Sequence, residues 1–164
     1  MSGTAGDVLT DDWLVVPELE PATGGRLAPL YEGAARGKLV LPFCAACDLA
    51  LEPEQQVCDG CGDGHVTWRP VAPEGTVHTV TVVHRREAGL VRTEEPYPVA
   101  DVELTSGHRL LMAGVRPSAA PAIGSPVTVT FRTVGDVAVP AFELPSIPET
   151  DIPETDIPET ETPR

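Results

Sequence analysis

Four cysteines in the pattern C-x2-C-x10-C-x2-C restrict what this chain can fold into more than any other feature. They are Cys44, Cys47, Cys58 and Cys61. Two residues between a pair of thiolates allow one tight turn to present both sulfurs to an ion, and two such turns complete a tetrahedron. The spacing therefore predicts a rubredoxin-like zinc ribbon over residues 39–70, in which all four thiolates bind Zn²⁺ or adventitious iron.

The predicted ion has a structural role, because four thiolates leave no coordination position open for a substrate. Such a site contributes on the order of 10 to 16 kcal/mol of apparent binding energy, which would hold together a segment with almost no apolar core. The alternative is a redox dithiol or a disulfide pair. It is disfavoured because a redox motif typically occurs once, at a helix N-terminus in a βαβ setting, and no such pattern surrounds these cysteines.

The sequence also predicts roles for three residues near the second cysteine pair. We expect Gly60 and Gly62 to supply the unusual backbone angles that a tight turn needs. His65 lies four residues beyond Cys61 and could in principle be a ligand. Because four cysteines already saturate a tetrahedral site, we expect His65 to face solvent or to lie outside the coordination sphere.

After residue 70 the sequence alternates with period two and is rich in Val and Thr, which is typical of strands. The predicted strands cover residues 76–86, 97–105, 109–115, 127–134 and 137–144. Five short strands separated by Gly and Pro match a small barrel of the OB type. We therefore predict a mainly β fold in which a five-stranded OB-fold barrel, residues 71–145, follows the ribbon.

The chain before the ribbon divides into two parts. Residues 1–25 are acidic and rich in Pro, Gly and Thr, and they are predicted to form an extended arm that could dock through the apolar island at residues 13–16. Residues 26–38 are predicted to form a short helix. Pro29 can sit in its first turn and Gly37 can end it.

The end of the chain repeats the pentapeptide Ile-Pro-Glu-Thr-Asp from residue 147 onward. Proline at every fifth position blocks both helices and sheet ladders, and the negative charge opposes collapse. Residues 146–164 are therefore predicted to be a disordered acidic tail, which either stays solvated or binds a partner.

Charge excludes some classes of partner. The formal net charge is −14, and residues 1–20 carry five acids and no base. A nucleic-acid binder gathers Lys and Arg on one face, and no such cluster is visible in this sequence. Nucleic acid is therefore not an expected partner. The three Phe, two Trp and two Tyr offer little surface for base stacking, so the composition also argues against a nucleic-acid binder.

The sequence shows no targeting or membrane signal. The N-terminus has acids where a secretory signal has positive charge, and no run of about 18 apolar residues could span a bilayer. We expect a cytoplasmic protein without a membrane partner. Thiols stay reduced in that compartment, which favours metal ligation over disulfides.

A set of polar side chains in the predicted barrel could support acid–base chemistry. His78 and His84 are six residues apart in one predicted strand, hence on one face, and Asp101 and Glu103 belong to the next strand. Such groups can transfer protons, but they are equally typical of cross-strand polar contacts. No nucleophile elbow, phosphate-binding glycine loop or dinucleotide fingerprint is present, so we expect no catalytic residues.

Three arginines flank a predicted loop between strands. Arg85, Arg86 and Arg92 could contact the phosphates of coenzyme A, although a solvated loop explains them as well. Trp68 and Tyr97 are expected to pack at the junction of ribbon and barrel rather than to act as stacking platforms.

Short motifs in a fixed order connect these features. They are Tyr31-Glu32-Gly33, Gly37-Lys38-Leu39, the four cysteines, Gly75-Thr76-Val77, the run at residues 96–104, the run at residues 107–111, the run at residues 123–127, and Pro140-Ala141-Phe142. Over roughly residues 27–144 this order resembles the zinc-ribbon and OB-fold family known as domain of unknown function thirty-five. Only the cysteines are specific individually.

The resemblance implies a non-catalytic accessory subunit. Members of that family look like partners of thiolases, thiolase-like aldolases and ketosynthases that act on acyl-CoA or acyl thioesters in lipid, steroid or polyketide metabolism. It implies a hetero-oligomer with a thiolase-like or ketosynthase-like protein, in which helix and ribbon dock on the partner and the barrel lies near a coenzyme A thioester shared with it. The rival hypotheses are a single-stranded nucleic-acid binder and an enzyme with His84 or Asp101 at a small site.

Overall fold

The computed structural model describes residues 13–84 and 87–145. They form one short helix, α1 (Ala28–Ala34), and seven strands: β1 (Val40–Cys44), β2 (Val66–Pro70), β3 (Glu74–Val83), β4 (Tyr97–Leu104), β5 (Arg109–Ala113), β6 (Pro126–Val134) and β7 (Val137–Glu143). In this part of the chain no helix has the length and hydropathy needed to cross a membrane. The whole predicted tail, residues 146–164, and residues 1–12 of the arm lie outside the described ranges.

Strands β3 to β7 build the barrel. They form one sheet in the order β5-β4-β3-β6-β7, and each neighbouring pair is antiparallel. A parallel bridge between Gly114 and Phe142 joins the two outer strands. The Val115 N–H strengthens this closure by donating to the Phe142 carbonyl over 2.9 Å. The sheet is therefore a nearly closed five-stranded barrel, which confirms the predicted fold class.

Strand β3 differs from its predicted course. It ends at Val83 rather than at residue 86, and its pairing with β4 shifts register between Val77 and Thr79. His78 is the extra residue of this bulge. A bulge bends a strand and interrupts the alternation of its side chains.

One core joins the barrel, the helix and the start of the ribbon. Alternate residues of β4 face inward because side chains of a strand point to opposite faces. Leu30 and Ala34 of α1 and Leu41 of β1 pack into the same buried cluster as these barrel residues. The ribbon is therefore attached to the barrel by apolar contact and not only by the backbone. The domain boundaries given above remain a prediction.

Helix α1 is shorter than predicted. A 3-10 turn at Gly25–Leu27 leads into it, and Pro29 lies in its first turn as expected. Gly37 has a φ of 66° and ends the segment, since its N–H bonds the Ala34 carbonyl at 2.9 Å. The helix lies tightly against β1: a β-carbon on Gly33 would come within 2.6 Å of Val40 Cγ2.

The apolar island of the arm, residues 13–16, docks on the loop between β3 and β4. Val16 donates its N–H to the Leu90 carbonyl at 3.0 Å, and Arg92 donates to the Leu14 carbonyl at 2.8 Å. Val15 and Val91 form an antiparallel bridge between these two bonds. Leu14 is buried, so this short ladder is anchored by apolar contact as well.

Candidate metal centre and the ribbon–barrel junction

The four cysteines predicted as ligands, Cys44, Cys47, Cys58 and Cys61, form one compact cysteine cluster. Their Sγ atoms all lie within 4.8 Å of one another. Two contacts measure 3.5 Å, Cys44 to Cys61 and Cys47 to Cys58. A tetrahedral zinc ion with bonds of about 2.3 Å separates its sulfurs by about 3.8 Å, so the spacing fits such an ion. All four thiols are free, which disagrees with a disulfide pair.

Two cysteine turns of matching geometry hold these sulfurs. In the first turn, residues 44–48, the Asp48 N–H donates to the Cys44 carbonyl at 3.0 Å; in the second, residues 58–62, the Gly62 N–H donates to the Cys58 carbonyl at 2.8 Å. Asp48 and Gly62 both have left-handed backbone angles, with φ of 63° and 77°. The same local fold is therefore built twice, as two C-x2-C pairs require.

The structure corrects the role expected of one glycine. Gly62 has the positive φ that the turn needs, but Gly60 is not among the residues with positive φ. At Gly60 the absence of a side chain matters instead. A β-carbon there would lie 3.3 Å from Leu49 Cδ2 and 3.7 Å from Cys58 Sγ. Gly60 therefore keeps space beside the sulfurs.

Electrostatics in the cysteine cluster favour a bound cation. The N–H of Cys47 is the main cause that lowers the pKa of the Cys44 thiol to about 7. For Cys61 the N–H of Asp63 favours the thiolate, yet the neighbouring sulfurs raise its pKa to about 12. Without a cation these sulfurs oppose one another's ionisation, since like charges at short range disfavour the charged form. A dication would remove that conflict.

The donor set fits a structural metal ion. Cys44 and Cys58 are buried while Cys47 and Cys61 are exposed, so an ion would be held at the surface of the ribbon. Four thiolates would leave it no open position for chemistry. His65 lies outside the group, with its side chain 87% exposed and its Nδ1 2.6 Å from Asp63 Oδ1.

His108 is the residue that sequence reasoning missed. It lies in the turn between β4 and β5 and is only 3% exposed. Its Nε2 is 2.8 Å from the Pro42 carbonyl of β1, and its Nδ1 is 2.9 Å from Ser106 Oγ. A carbonyl only accepts, so Nε2 carries the proton and Nδ1 accepts from the Ser106 hydroxyl. No spacing in the sequence indicates this contact, because it joins positions far apart in the chain.

Aromatic contacts extend this junction toward the first cysteine turn. The His108 ring meets the Phe43 ring edge-on at a centroid distance of 4.7 Å. The guanidinium of Arg69 lies 3.6 Å from the Phe43 centroid, and it also pairs with the Asp48 carboxylate at 2.7 Å. Trp68 packs against the shared core as expected.

Tyr97 lies elsewhere than predicted. Its ring meets Trp13 of the arm edge-on, with centroids 6.2 Å apart, and this contact lies on the arm rather than on the ribbon. The expectation that Tyr97 packs at the ribbon–barrel junction is therefore wrong. It failed because the position of the arm on the barrel depends on tertiary contacts.

The polar residues considered for acid–base chemistry do not form the arrangement that their spacing suggested. His78 is the bulged residue of β3 and lies 3.7 Å from Glu103, whereas His84 follows the last residue of that strand. Because the bulge interrupts the alternation of side chains along β3, the even spacing of His78 and His84 no longer places them on one face of the sheet. Asp101 is paired with Arg109 on the neighbouring strand.

The three arginines considered for coenzyme A are not brought together in what the structure describes. Arg85 and Arg86 lie outside the described residues. Arg92 is exposed, and its backbone N–H donates to the Leu14 carbonyl at 2.8 Å. A phosphate-binding role for these residues stays a prediction.

Comparison with known proteins gives the family. The sequence profile of the ChsH2 C-terminal OB-fold domain matches residues 68–132. A solved structure described as "Ltp2-ChsH2(DUF35) aldolase" is 31% identical, with a TM-score of 0.64, and the match covers 75% of this chain and 97% of that one. This chain belongs to the DUF35 family. The resemblance seen in the order of its motifs is confirmed.

A curated relative extends the DUF35 comparison. It is named "Probable enoyl-CoA hydratase alpha subunit", from Thermomonospora curvata, and is 31% identical over 132 residues. The match covers 79% of this chain and 40% of the relative. This chain therefore spans less than half the length of the curated relative that it matches.

Proposed function

We propose that this DUF35 chain is a non-catalytic accessory subunit that binds and supports a thiolase-like enzyme acting on acyl-CoA or acyl thioesters. The observation that carries the proposal is the match to 97% of a chain in a structure described as an aldolase containing ChsH2. The name of the curated relative, an enoyl-CoA hydratase subunit, supports the same substrate class. Arg85, Arg86 and Arg92 are candidates for contact with the coenzyme A phosphates.

The cysteine cluster has a structural task in this proposal. We assign one Zn²⁺ to Cys44, Cys47, Cys58 and Cys61, whose sulfurs have the spacing that the ion requires. The ion would make the ribbon, residues 39–70, a rigid platform beside the barrel, residues 71–145. A rigid platform loses little conformational entropy when a partner binds.

Exposed apolar side chains on the ribbon supply a surface for the partner. Leu49 and Val57 flank the two cysteine turns and are 44% and 54% exposed. Both residues adjoin cysteine turns whose sulfurs lie within 4.8 Å of one another, so we take them as one apolar surface of the kind that marks protein contact. We therefore assign the ribbon tip, defined by Leu49 and Val57, to the interface with the enzyme.

Affinity capture from the native host tests the proposal. We expect the tagged full chain to recover a thiolase-like protein, identified by mass spectrometry, and we expect the Val57→Asp variant to recover much less of it. Leu111→Asp is a matched control because Leu111 is an exposed apolar residue on the barrel, 74% exposed. Metal content is measured in each variant so that loss of the ion is not mistaken for loss of the interface.

Two further measurements separate the rival functions. Turnover of an acyl-CoA by the isolated chain would favour an enzyme, and salt-sensitive binding of a labelled oligonucleotide would favour a nucleic-acid binder. We expect neither. Repeated capture experiments that recover no thiolase-like protein would contradict the accessory role.

A further inference from the structure

The turn between β4 and β5 contacts the ribbon where the first cysteine turn begins. His108 reaches the carbonyl of Pro42, two residues before Cys44. On the same side, a β-carbon on Gly107 would lie 3.6 Å from Ala50 Cβ, so the backbone of the β4–β5 turn lies close to the segment that follows the first cysteine turn. The barrel therefore contacts both flanks of that turn.

A continuous chain of contacts leads from the β4–β5 turn to the cysteines. His108 packs edge-on against Phe43, and Phe43 is followed directly by Cys44. Arg69 lies over the same Phe43 ring at 3.6 Å and pairs with Asp48. Asp48 in turn closes the first cysteine turn through its N–H bond to the Cys44 carbonyl.

The Pro42 carbonyl is shared between the two sides of this junction. It accepts the N–H of Leu51 at 3.1 Å and the imidazole Nε2 of His108 at 2.8 Å. Both Leu51 and His108 are buried, so water cannot replace either donor without opening the junction. Movement of β1 and movement of the β4–β5 turn are therefore linked.

We infer that occupancy of the cysteine cluster by a metal ion and closure of the β4–β5 turn are one coupled equilibrium, with His108 as the coupling residue. Metal binding holds the first cysteine turn in the geometry that places Pro42 and Phe43 against His108. By linkage, a closed turn strengthens metal binding by the same factor by which metal stabilises the turn. The inference depends on metal binding by the cysteines but not on any partner enzyme.

Metal affinity provides the first test. Zinc is titrated against a chromophoric chelator with wild type, His108→Phe and His65→Gln. We expect His108→Phe, which keeps an aromatic ring but loses both polar contacts, to bind zinc about tenfold more weakly. His65→Gln is the matched control, because His65 lies close to the cysteine cluster in sequence yet is exposed, and we expect its affinity to be unchanged.

Amide hydrogen exchange provides the reciprocal test. The N–H groups of Leu104 and Gly107 close the β4–β5 turn through bonds to the carbonyls of His108 and Leu104, at 2.8 and 2.9 Å. We expect zinc to slow exchange of both amides in wild type by a factor similar to the affinity loss, and to have little effect on them in His108→Phe.

The outcomes are distinguishable from those of the functional proposal. If His108→Phe does not fold, His108→Leu is used, since leucine neither donates to the Pro42 carbonyl nor makes the ring contact with Phe43. Unchanged zinc affinity in a folded His108 variant would overturn the coupling. So would exchange rates at the Leu104 and Gly107 amides that are the same with and without zinc. Neither result would affect capture of a thiolase-like protein.

Discussion

The indole Nε1 of Trp13 donates to the carbonyl of Val115 across 3.1 Å, and this bond attaches the N-terminal arm to the end of β5. Val115 also closes the barrel by donating to the Phe142 carbonyl. The arm therefore covers the closure point between β5 and β7. Its ring contact with Tyr97 adds a second attachment on β4.

Replacing Trp13 with Phe should weaken this attachment without removing the ring. We expect the free energy of unfolding to fall by about 1 kcal/mol, the typical value of one hydrogen bond. Urea unfolding gives the change. Hydrogen exchange of the Val16 amide, which bonds the Leu90 carbonyl, shows whether the arm has loosened. If neither the urea midpoint nor the exchange rate of the Val16 amide changed, the backbone hydrogen bonds between residues 14–16 and 90–92 would be sufficient to hold the arm.

Replacing Gly75 with Ala should destabilise the barrel. A β-carbon at this position would lie 2.6 Å from the Glu103 carbonyl oxygen and 2.8 Å from Val102 Cγ1, so β3 and β4 would have to separate. Overpacking of this kind typically costs about 1–3 kcal/mol.

Gly24→Ala is the matched control for Gly75→Ala. Gly24 has a φ of −83°, and nothing lies within 4 Å of a β-carbon placed there. We expect this variant to be neutral or slightly more stable, because alanine restricts the unfolded chain. Equal thermal midpoints for Gly75→Ala and wild type would show that the sheet relaxes around the added methyl group.

Removing the metal should loosen the ribbon. We expect about one zinc per chain by atomic emission, and none after treatment with a strong chelator. Limited proteolysis should then cut within residues 45–65 much faster, because the small cluster around Leu51 buries little apolar surface by itself. Cys58→Ser, at a buried position of the cysteine cluster, should behave like the chelated protein. If the metal-free chain resists protease as well as the loaded form, the ion does not organise the ribbon.

Stability should fall as the pH drops below the usual pKa of histidine. Burial lowers the pKa of His108, an effect opposed by the Pro42 carbonyl and by the charge of Glu52 and reinforced by Arg69. The folded state therefore binds a proton less readily than the unfolded chain. The stabilisation from neutral His108 is complete above a pH of about 6.5 and is lost as the pH falls through the lowered pKa.

Urea midpoints measured across this pH range check the sign. A metal ion held by the cysteines would also be released in acid, so the wild type is compared with His108→Phe, which keeps all four thiols but lacks the imidazole. We expect the wild type to lose more stability than the variant between neutral and mildly acidic pH. Parallel curves would show that His108 does not titrate between the two states.

Much of the architecture could be predicted because it depends on local rules. The C-x2-C spacing indicated four clustered thiols, since each turn needs only the residues between two cysteines. The period-two pattern rich in Val and Thr indicated five barrel strands, although β3 ended at Val83 rather than at residue 86. A bulge at His78 could not be predicted, because a register shift is decided by pairing with the neighbouring strand.

The sequence by itself determined the clustering of the four thiols, the order of the strands along the chain and the family, because these depend on spacing and on short motifs. The tertiary structure alone decided that His108 bonds Pro42, that Tyr97 meets Trp13, and that the arm covers the barrel closure. Each of these contacts joins residues far apart in the chain. Such pairs form only when the barrel closes and buries them together, so no local sequence pattern can predict them.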